Sequence, residues 1–397
     1  MACATTITQP DVETIVARAL GHLERLIAFD TTSRNSNLAL IAYVEYELAA
    51  LGLHPRRLAD PTGLKANLLV RAGPPAPGGV VLSGHTDVVP VDGQAWSSPP
   101  FQLRARESRF YGRGVADMKS FLALMLALAA ELEQAPLRRP LWLSFTYDEE
   151  VGCLGAPSLI SSLLTEKIRA SSVIVGEPTE MQVVAGHKGV CVHQVKIRGR
   201  EAHSSLPHHG VSANMAAAEL LGHLAALARA LEAGPLDPGF DPPWASLTVG
   251  VMQGGVATNI LAGQCDFAFD LRTPPGVDPL AILAPFFDTA SQLDRDLRAK
   301  APEAGIKLTL RSRTPPLDPE GDTGAAALAG RLAASNAPPA TVAYGAEAGH
   351  FQRAGFSTVI CGPGSIRQAH QPDEYIERSQ IERGGAFMAR LLQDLAA

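Results

Sequence analysis

Three short apolar runs limit what this chain can fold into. Val80–Leu82, Pro140–Thr146 and Ser172–Val175 each read as a buried strand. Helical patterns surround them: Asp11–Phe29 with Asp11 as cap, Leu38–Leu51 stopped by Gly52, and a helix from about Lys119 to Glu133. Asn67–Arg71 adds a strand. Strands alternating with helices make βαβ units and a largely parallel sheet covered on both faces. The Ser83-Gly84 pair is expected to break the Val80–Leu82 strand just before His85.

The pattern changes after about Val183. Val190–Ile197 is a strand, and Ser212–Leu231 is an Ala/Leu-rich helix that Gly222 should interrupt. Ser246–Val251 and Cys265–Leu271 are strands, Pro279–Leu297 is a helix, and Ile306, Leu308 and Leu310 alternate on a last strand. That β-α-β-β-α-β order is the split βαβ, ferredoxin-like sandwich. The first pattern then resumes with a helix near Thr323–Ala334, strands at Thr341–Tyr344 and Thr358–Cys361, and a final helix with Ser379 and Glu382 as a capping box. The fold class is therefore α/β, with a mostly parallel first domain (1–183 and 314–397) and an inserted α+β domain (184–313). Two domains suit 397 residues, because single cores stop growing at roughly 250–300.

Composition removes several classes of function. A formal charge of -6 with no basic block argues against nucleic acid as partner. Phe121–Ala130, the most apolar run, falls far short of the ~20 residues a membrane span needs. Met1–Pro10 has neither a basic nor an apolar signal region, and Cys3, Cys153, Cys191, Cys265 and Cys361 are scattered. Both point to reduced thiols in a cytoplasmic protein.

Chemistry-bearing residues follow the first-domain strands. His85 and Asp87, at strand spacing, point the same way, so the carboxylate is placed to orient the imidazole. Glu149 and Glu150 follow Thr146, Glu177 follows Val175, and His370 follows the last strand after a Gly-Pro-Gly loop. Asp117 sits in a glycine-bearing turn before a helix. Taken singly, each has an ordinary reading: Asp117 as a helix cap, Asp148-Glu149-Glu150 as a solvated turn, Glu177 as a cap, His370 as a loop residue. Together they gather where open α/β sheets bind ligands, outside the carboxyl ends of the strands. So much negative charge requires a cation to be desolvated. Imidazole and carboxylate without thiolate suit zinc or cobalt, and the carboxylates exceed one ion's needs, which implies two.

Ser83-Gly-His-Thr-Asp-Val-Val-Pro90, Gly112-Arg-Gly-Val-Ala-Asp-Met-Lys119, Tyr147-Asp-Glu-Glu-Val-Gly-Cys153, Gly176-Glu-Pro-Thr179 and Gly199-Arg-Glu-Ala-His-Ser-Ser-Leu-Pro207 resemble one zinc-dependent family. It comprises acetylornithine deacetylase, succinyl-diaminopimelate desuccinylase, aminoacylase and glutamate carboxypeptidase. The likeness implies that His85 and Glu177 hold one zinc and Glu150 and His370 the other. Asp117 would bridge them on a cis bond to Met118. It also implies Glu149 as general base, Asp87 behind His85, and His203 as an oxyanion donor from a partner subunit. Ser120 departs from the family, which commonly has Gly there. Arg272 and Asn259 match substrate contacts. Tyr344-Gly-Ala-Glu347-Ala-Gly-His350-Phe351 is most similar to the deacetylases, with Glu347 set to meet a cationic side chain such as ornithine's. The likeness makes residues 1–183 and 314–397 the catalytic domain and 184–313 a lid, and the reaction implied is hydrolysis of an N-acyl amino acid by a homodimer that pairs through the lid. Other deacylases of this scaffold, and a metal-free binding module, are the alternatives.

Overall fold

The computed structural model describes residues 11–132, 137–321 and 323–397. The Met1–Pro10 segment, Cys3 and Glu133 lie outside them. The chain divides into two compact units, one of residues 1–186, 317–341 and 346–397, the other of 187–316 and 342–345.

The first unit is built on an eight-stranded sheet. Its strands run in the order Arg56–Ala59, Ala66–Ala72, Leu141–Thr146, Val80–His85, Ser172–Pro178, Thr358–Gly362, Val184–His187 and Ala340–Val342. The four from Leu141–Thr146 to Thr358–Gly362 are mutually parallel, and the pairings that flank them are antiparallel. Val80–His85, Ser172–Pro178 and Thr358–Gly362 are buried along their whole length, as a sheet covered on both faces requires. The Ser120–Ala129 helix is buried all round, which explains its unbroken run of Ala, Leu, Phe and Met. It packs with Val12–Ile27 and Arg378–Ala396 into one core. Asp11 caps the first helix by accepting from the backbone N–H of Glu13 and Thr14.

The second unit is an antiparallel sheet ordered Ser246–Gly254, Gln264–Thr273, Gly189–Arg198, Gly305–Thr314. The helices Ala213–Glu232 and Pro279–Lys300 pack on it. Burial alternates along Gln264–Thr273, with Cys265, Phe267, Phe269 and Leu271 inside, so one face carries the core. The sequential order β-α-β-β-α-β is present.

Three local expectations give way. The Val80 strand does not stop at Leu82 but pairs through His85. Gly84 is there for clearance, since a Cβ would lie 2.7 Å from Met118 Cε and 2.8 Å from Leu122 Cδ2. Gly222 does not interrupt its helix, which runs unbroken to Glu232. Ser379 and Glu382 form no capping box: the Tyr375–Glu377 strand runs straight into the helix, and Glu382 pairs with Arg378 at 2.9 Å. The helix Ala156–Thr165 and the small sheet of Arg104–Arg106, Arg109–Tyr111 and Tyr375–Glu377 were not anticipated. That sheet's two Arg-bearing strands are exposed or half-buried and show no apolar pattern.

Candidate metal centre

Five separate segments of the first unit converge. His85 is the last residue of its strand, and Glu177 lies inside Ser172–Pro178 rather than after it. Glu149 and Glu150 leave the Leu141–Thr146 strand through a turn at Asp148, whose φ is 55°. Asp117 sits in the turn before Ser120–Ala129, and its peptide bond to Met118 is cis. His370, at φ 62°, comes from the loop after Thr358–Gly362.

Asp117 stands between the two imidazoles. Its Oδ1 is 3.0 Å from His85 Nε2 and its Oδ2 is 3.5 Å from His370 Nε2. His370 Nε2 also lies 3.1 Å from Glu150 Oε2, and His85 Nε2 lies 3.8 Å from Glu177 Oε1. Ligand atoms of His85, Asp117 and Glu150 fall within 4.8 Å of one another, as do those of His85, Glu149 and Glu177. On the far side of its ring, His85 Nδ1 lies 2.9 Å from the main-chain carbonyl of Asp87. If Nδ1–H donates there, Nε2 faces two carboxylates, and only a proton or a metal cation makes that favourable.

The electrostatics agree. Burial opposes a charge on His85, but Glu177 and Asp117 outweigh it and hold the imidazole well above its ordinary pKa. Hydrogen bonds to Asp117 and Glu150 raise His370 to about 10. Burial, then Asp117, pushes Glu150 up to about 7 and Glu177 to about 8. Burial and Glu177 raise Glu149 well above the usual carboxylate range. Asp117 moves down despite its burial, because His370 and His85 both bond it. Without a metal cation the cluster therefore holds on to protons.

The residues fit a divalent metal on a separate ground. Glu150 Oε1 and Glu177 Oε1 are buried and have no hydrogen-bond partner. Leaving two carboxylate oxygens dry and undonated costs several kcal/mol unless a cation meets them. The donor set is nitrogen and oxygen with no thiolate, since none of Cys153, Cys191, Cys265 and Cys361 belongs to the ligand groups.

The neighbouring groups correct the expectation in two places. Asp87 meets His85 through its carbonyl, while its carboxylate, 3.7 Å from Nδ1, is engaged elsewhere. It accepts from the N–H of Glu149 at 3.0 Å, the N–H of Glu150 at 3.3 Å and the Ser33 hydroxyl at 2.6 Å. Glu347 is not open to a substrate's cationic side chain. It is 1% exposed, its Oε2 accepts from Thr146 Oγ1 at 2.8 Å, and its Oε1 accepts from Ser83 Oγ. Ser83 and Thr146 lie on the strands Val80–His85 and Leu141–Thr146, which read as apolar runs, so nothing in the sequence signals that their hydroxyls meet this carboxylate.

Sequence reasoning also missed three supports. Lys65 binds both Asp148 and the Ser33 carbonyl, bracing the Glu149 turn. Cys153 Sγ lies 3.4 Å from Glu149 Oε1. Glu374 holds the Asp117 turn from 257 residues away. The only signal was a charged residue, Glu374, inside an otherwise loop-like Gln371-Pro-Asp-Glu stretch.

Three expected site residues belong to the second unit. His203 is exposed; its Nδ1 accepts from the Ser205 N–H at 3.2 Å and lies 2.8 Å from Ser205 Oγ. An accepting Nδ1 places the ring proton on Nε2. Asn259 is exposed beside it, its carbonyl accepting from the Ser204 N–H at 2.9 Å. Arg272 pairs with Asp270, Nη2 to Oδ2 at 3.2 Å, and donates from Nη1 to the Ala343 carbonyl at 3.4 Å.

Residues 81–394 match Peptidase family M20/M25/M40. Acetylornithine deacetylase of Myxococcus xanthus is 37% identical over 373 residues, covering 93% of this chain and 95% of that protein. Acetylornithine deacetylase of Pectobacterium carotovorum subsp. carotovorum (strain PC1) is 33% identical, covering 92% and 93%. An M20 family metallo-carboxypeptidase from Sulfolobus solfataricus shares the fold, with a TM-score of 0.75 at 17% identity over 95% of this chain and 99% of that one. So does a dinuclear metal binding peptidase of the M20 family from Bacillus subtilis, with a TM-score of 0.60 at 15% identity over 96% and 99%. On a match spanning most of its length and relatives above 30% identity, the chain belongs to peptidase family M20/M25/M40.

Proposed function

We propose that this hydrolase is an acetylornithine deacetylase, converting N2-acetyl-L-ornithine and water to L-ornithine and acetate, a step of arginine biosynthesis. The observation that carries the reading is the pair of undonated buried oxygens, Glu150 Oε1 and Glu177 Oε1, in a ring with two imidazoles. His85 and Glu177 would hold one ion, Glu150 and His370 the other, and Asp117 would bridge. The ions would be two zincs, for which cobalt could substitute. When bound, such a pair polarises a carbonyl and lowers the pKa of water toward ~7.

Everything else falls to the chain's own side chains. Glu149, raised by burial and by Glu177, is suited to accept the proton of the attacking water and return it to the leaving amine. Asp87 fixes the turn from which Glu149 projects. His203, with Nε2 as donor, would stabilise the developing oxyanion. In a homodimer this donor is the partner subunit's His203. Arg272 and Asn259 would bind the substrate's carboxylate and backbone. An open sheet edge supports lid-to-lid pairing: Ser246–Gly254 ends its sheet, with Val251 and Met252 at least half exposed. Among the described residues no helix is long and apolar enough to cross a membrane, which fits a cytoplasmic enzyme.

The test is a panel of N-acetylornithine, N-succinyl-diaminopimelate and neutral N-acetyl amino acids. The full chain is assayed after chelation and after zinc or cobalt is restored. The highest kcat/KM should fall on N-acetylornithine, and only with metal. Glu149→Gln should lower kcat by ~10²–10⁴-fold while leaving metal content intact. Metal-independent turnover would overturn the mechanism, preference for another acyl group would move the chain to a sister deacylase, and absence of bound metal would favour a binding module.

A further inference from the structure

The loops that carry Asp117 and His370 follow and precede the paired strands Arg109–Tyr111 and Tyr375–Glu377, and their side chains meet 3.5 Å apart. That ladder anchors only one end of each loop, and Glu374, just before the second strand, holds the Asp117 turn beyond it. Its carboxylate is 1% exposed and collects four donors. Oε1 accepts from the N–H of Ala116 at 2.8 Å and of Asp117 at 3.1 Å. Oε2 accepts from the N–H of Gly114 at 2.9 Å and from Arg113 Nη1 at 2.7 Å. Successive backbone N–H groups around one anion make a nest, here closed by a buried guanidinium. The Gly112 N–H also donates to the Glu374 carbonyl at 3.0 Å.

The network continues to His370. Arg113 Nη2 donates to Gln94 Oε1 at 2.6 Å, and Gln94 Nε2 donates to the His370 carbonyl at 2.9 Å. Trp96 Nε1 also donates to Gln94 Oε1 at 3.0 Å, which fixes which end of the amide faces His370. Asp373 is held in turn by the Ser97 N–H at 2.8 Å. The circuit from the Asp117 backbone through Glu374, Arg113 and Gln94 to the His370 backbone is closed. Resting on the metal reading above, we infer that Glu374 is a positioning residue that sets the Asp117–His370 spacing, and with it the affinity of the second metal ion. It touches neither metal nor substrate.

Glutamine at this position keeps the volume but turns one acceptor into a donor facing backbone N–H groups, and leaves Arg113 without its counter-charge. Cobalt titrations of the full chain, followed by visible absorption and by competition with a chelator, separate the two equivalents. In Glu374→Gln the second equivalent should bind roughly 10–100-fold more weakly with an altered visible band, as changes behind ligands typically do. The first equivalent should change less, and kcat should fall with KM nearly constant. Gln94→Ala removes the hold on His370, together with an acceptor for Arg113 and Trp96, but leaves the carboxylate of Glu374 in its backbone nest, and should weaken the second equivalent more than the first. If Glu374→Gln binds both equivalents with wild-type affinity and spectrum while only its Tm falls, Glu374 is structural and the inference is wrong. If that variant does not fold, a Gln94→Ala titration identical to wild type overturns it instead. A wild-type chain that takes up no cobalt sinks the metal reading and this inference with it, whereas wild-type uptake with unperturbed variants sinks this inference alone.

Discussion

Asp87→Asn separates two accounts of an aspartate behind a histidine ligand. If the carboxylate orients His85, neutralising it should cost metal affinity. The geometry says otherwise, because His85 Nδ1 lies 2.9 Å from the Asp87 main-chain carbonyl, which the substitution keeps. What the variant loses is the grip on the Glu149-Glu150 turn. Asparagine retains one oxygen for the Glu149 N–H, while its amide faces the Glu150 N–H donor to donor and the Ser33 hydroxyl turns to accept. One charge-assisted bond lost and one weakened amounts to about 2–3 kcal/mol. Expressed fully in the placement of Glu149, that is roughly a 30–160-fold fall in kcat. The assay is kcat and KM on N-acetylornithine alongside zinc affinity by chelator competition. The expected result is a large fall in kcat with zinc affinity near wild type. A variant that sheds zinc yet regains wild-type kcat in excess metal would refute the reasoning and return the carboxylate to His85.

Glu347→Gln should leave the ratio of kcat/KM between N-acetylornithine and neutral N-acetyl amino acids unchanged, because the carboxylate is enclosed by Ser83 and Thr146; it should lower urea stability by about 1–2 kcal/mol. A tenfold change of that ratio at constant stability would mean that the side chain reaches substrate. His350 is half-buried with its Nε2 enclosed and unpartnered, and burial holds its pKa down to about 4. The unfolded chain, near 6.5, takes up the proton first, so this contribution is complete above ~6.5 and is lost as pH falls to about 4, at most ~3 kcal/mol. His350→Gln should therefore flatten the fall in urea midpoint across that window, and an unchanged slope would exclude the group. Gly222 is exposed inside its helix and a Cβ there meets nothing within 4 Å, so Gly222→Ala should stabilise by ~0.5–1 kcal/mol in urea unfolding.

The convergence of these imidazoles and carboxylates was legible because strand direction was. Apolar runs at Val80, Leu141 and Ser172 announce parallel strands, and a parallel sheet sends every strand's end to one edge, so the polar residues after them must meet. Seeing that His85, Asp117, Glu150, Glu177 and His370 converge needed no register. What did need tertiary packing was lost. Ser83-Gly84 reads as a break because neither residue is apolar, yet the strand pairs onward and the glycine merely makes room for Met118. Glu347 looks like a loop acid until the helix it begins brings it under two buried hydroxyls. Asp87 was expected to orient His85 through its carboxylate, but that carboxylate is taken by a turn 62 residues later in the chain, and the main-chain carbonyl meets the ring instead.

The same contrast distinguishes support from function in this unit. Its buried charges are mostly answered by backbone. Lys119 Nζ donates to the carbonyls of Leu26 and Phe29, Glu374 collects three N–H groups, and Asp87 collects two. Backbone dipoles are fixed by the fold, so a charge neutralised this way stays put and takes no further partner. Glu150 and Glu177 break the rule, each with a buried oxygen that no donor reaches. Folding alone gives no reason to bury them so, because a neutral side chain of similar size would avoid the desolvation cost. Their retention beside two imidazoles makes sense only if a mobile cation supplies the charge that the backbone does not. An Asp87 or Glu374 variant should therefore shift geometry by degrees, whereas Glu177→Gln should abolish one equivalent of metal outright. A Glu177→Gln chain that still titrated with two equivalents at wild-type affinity would show that the dry oxygens had been misread.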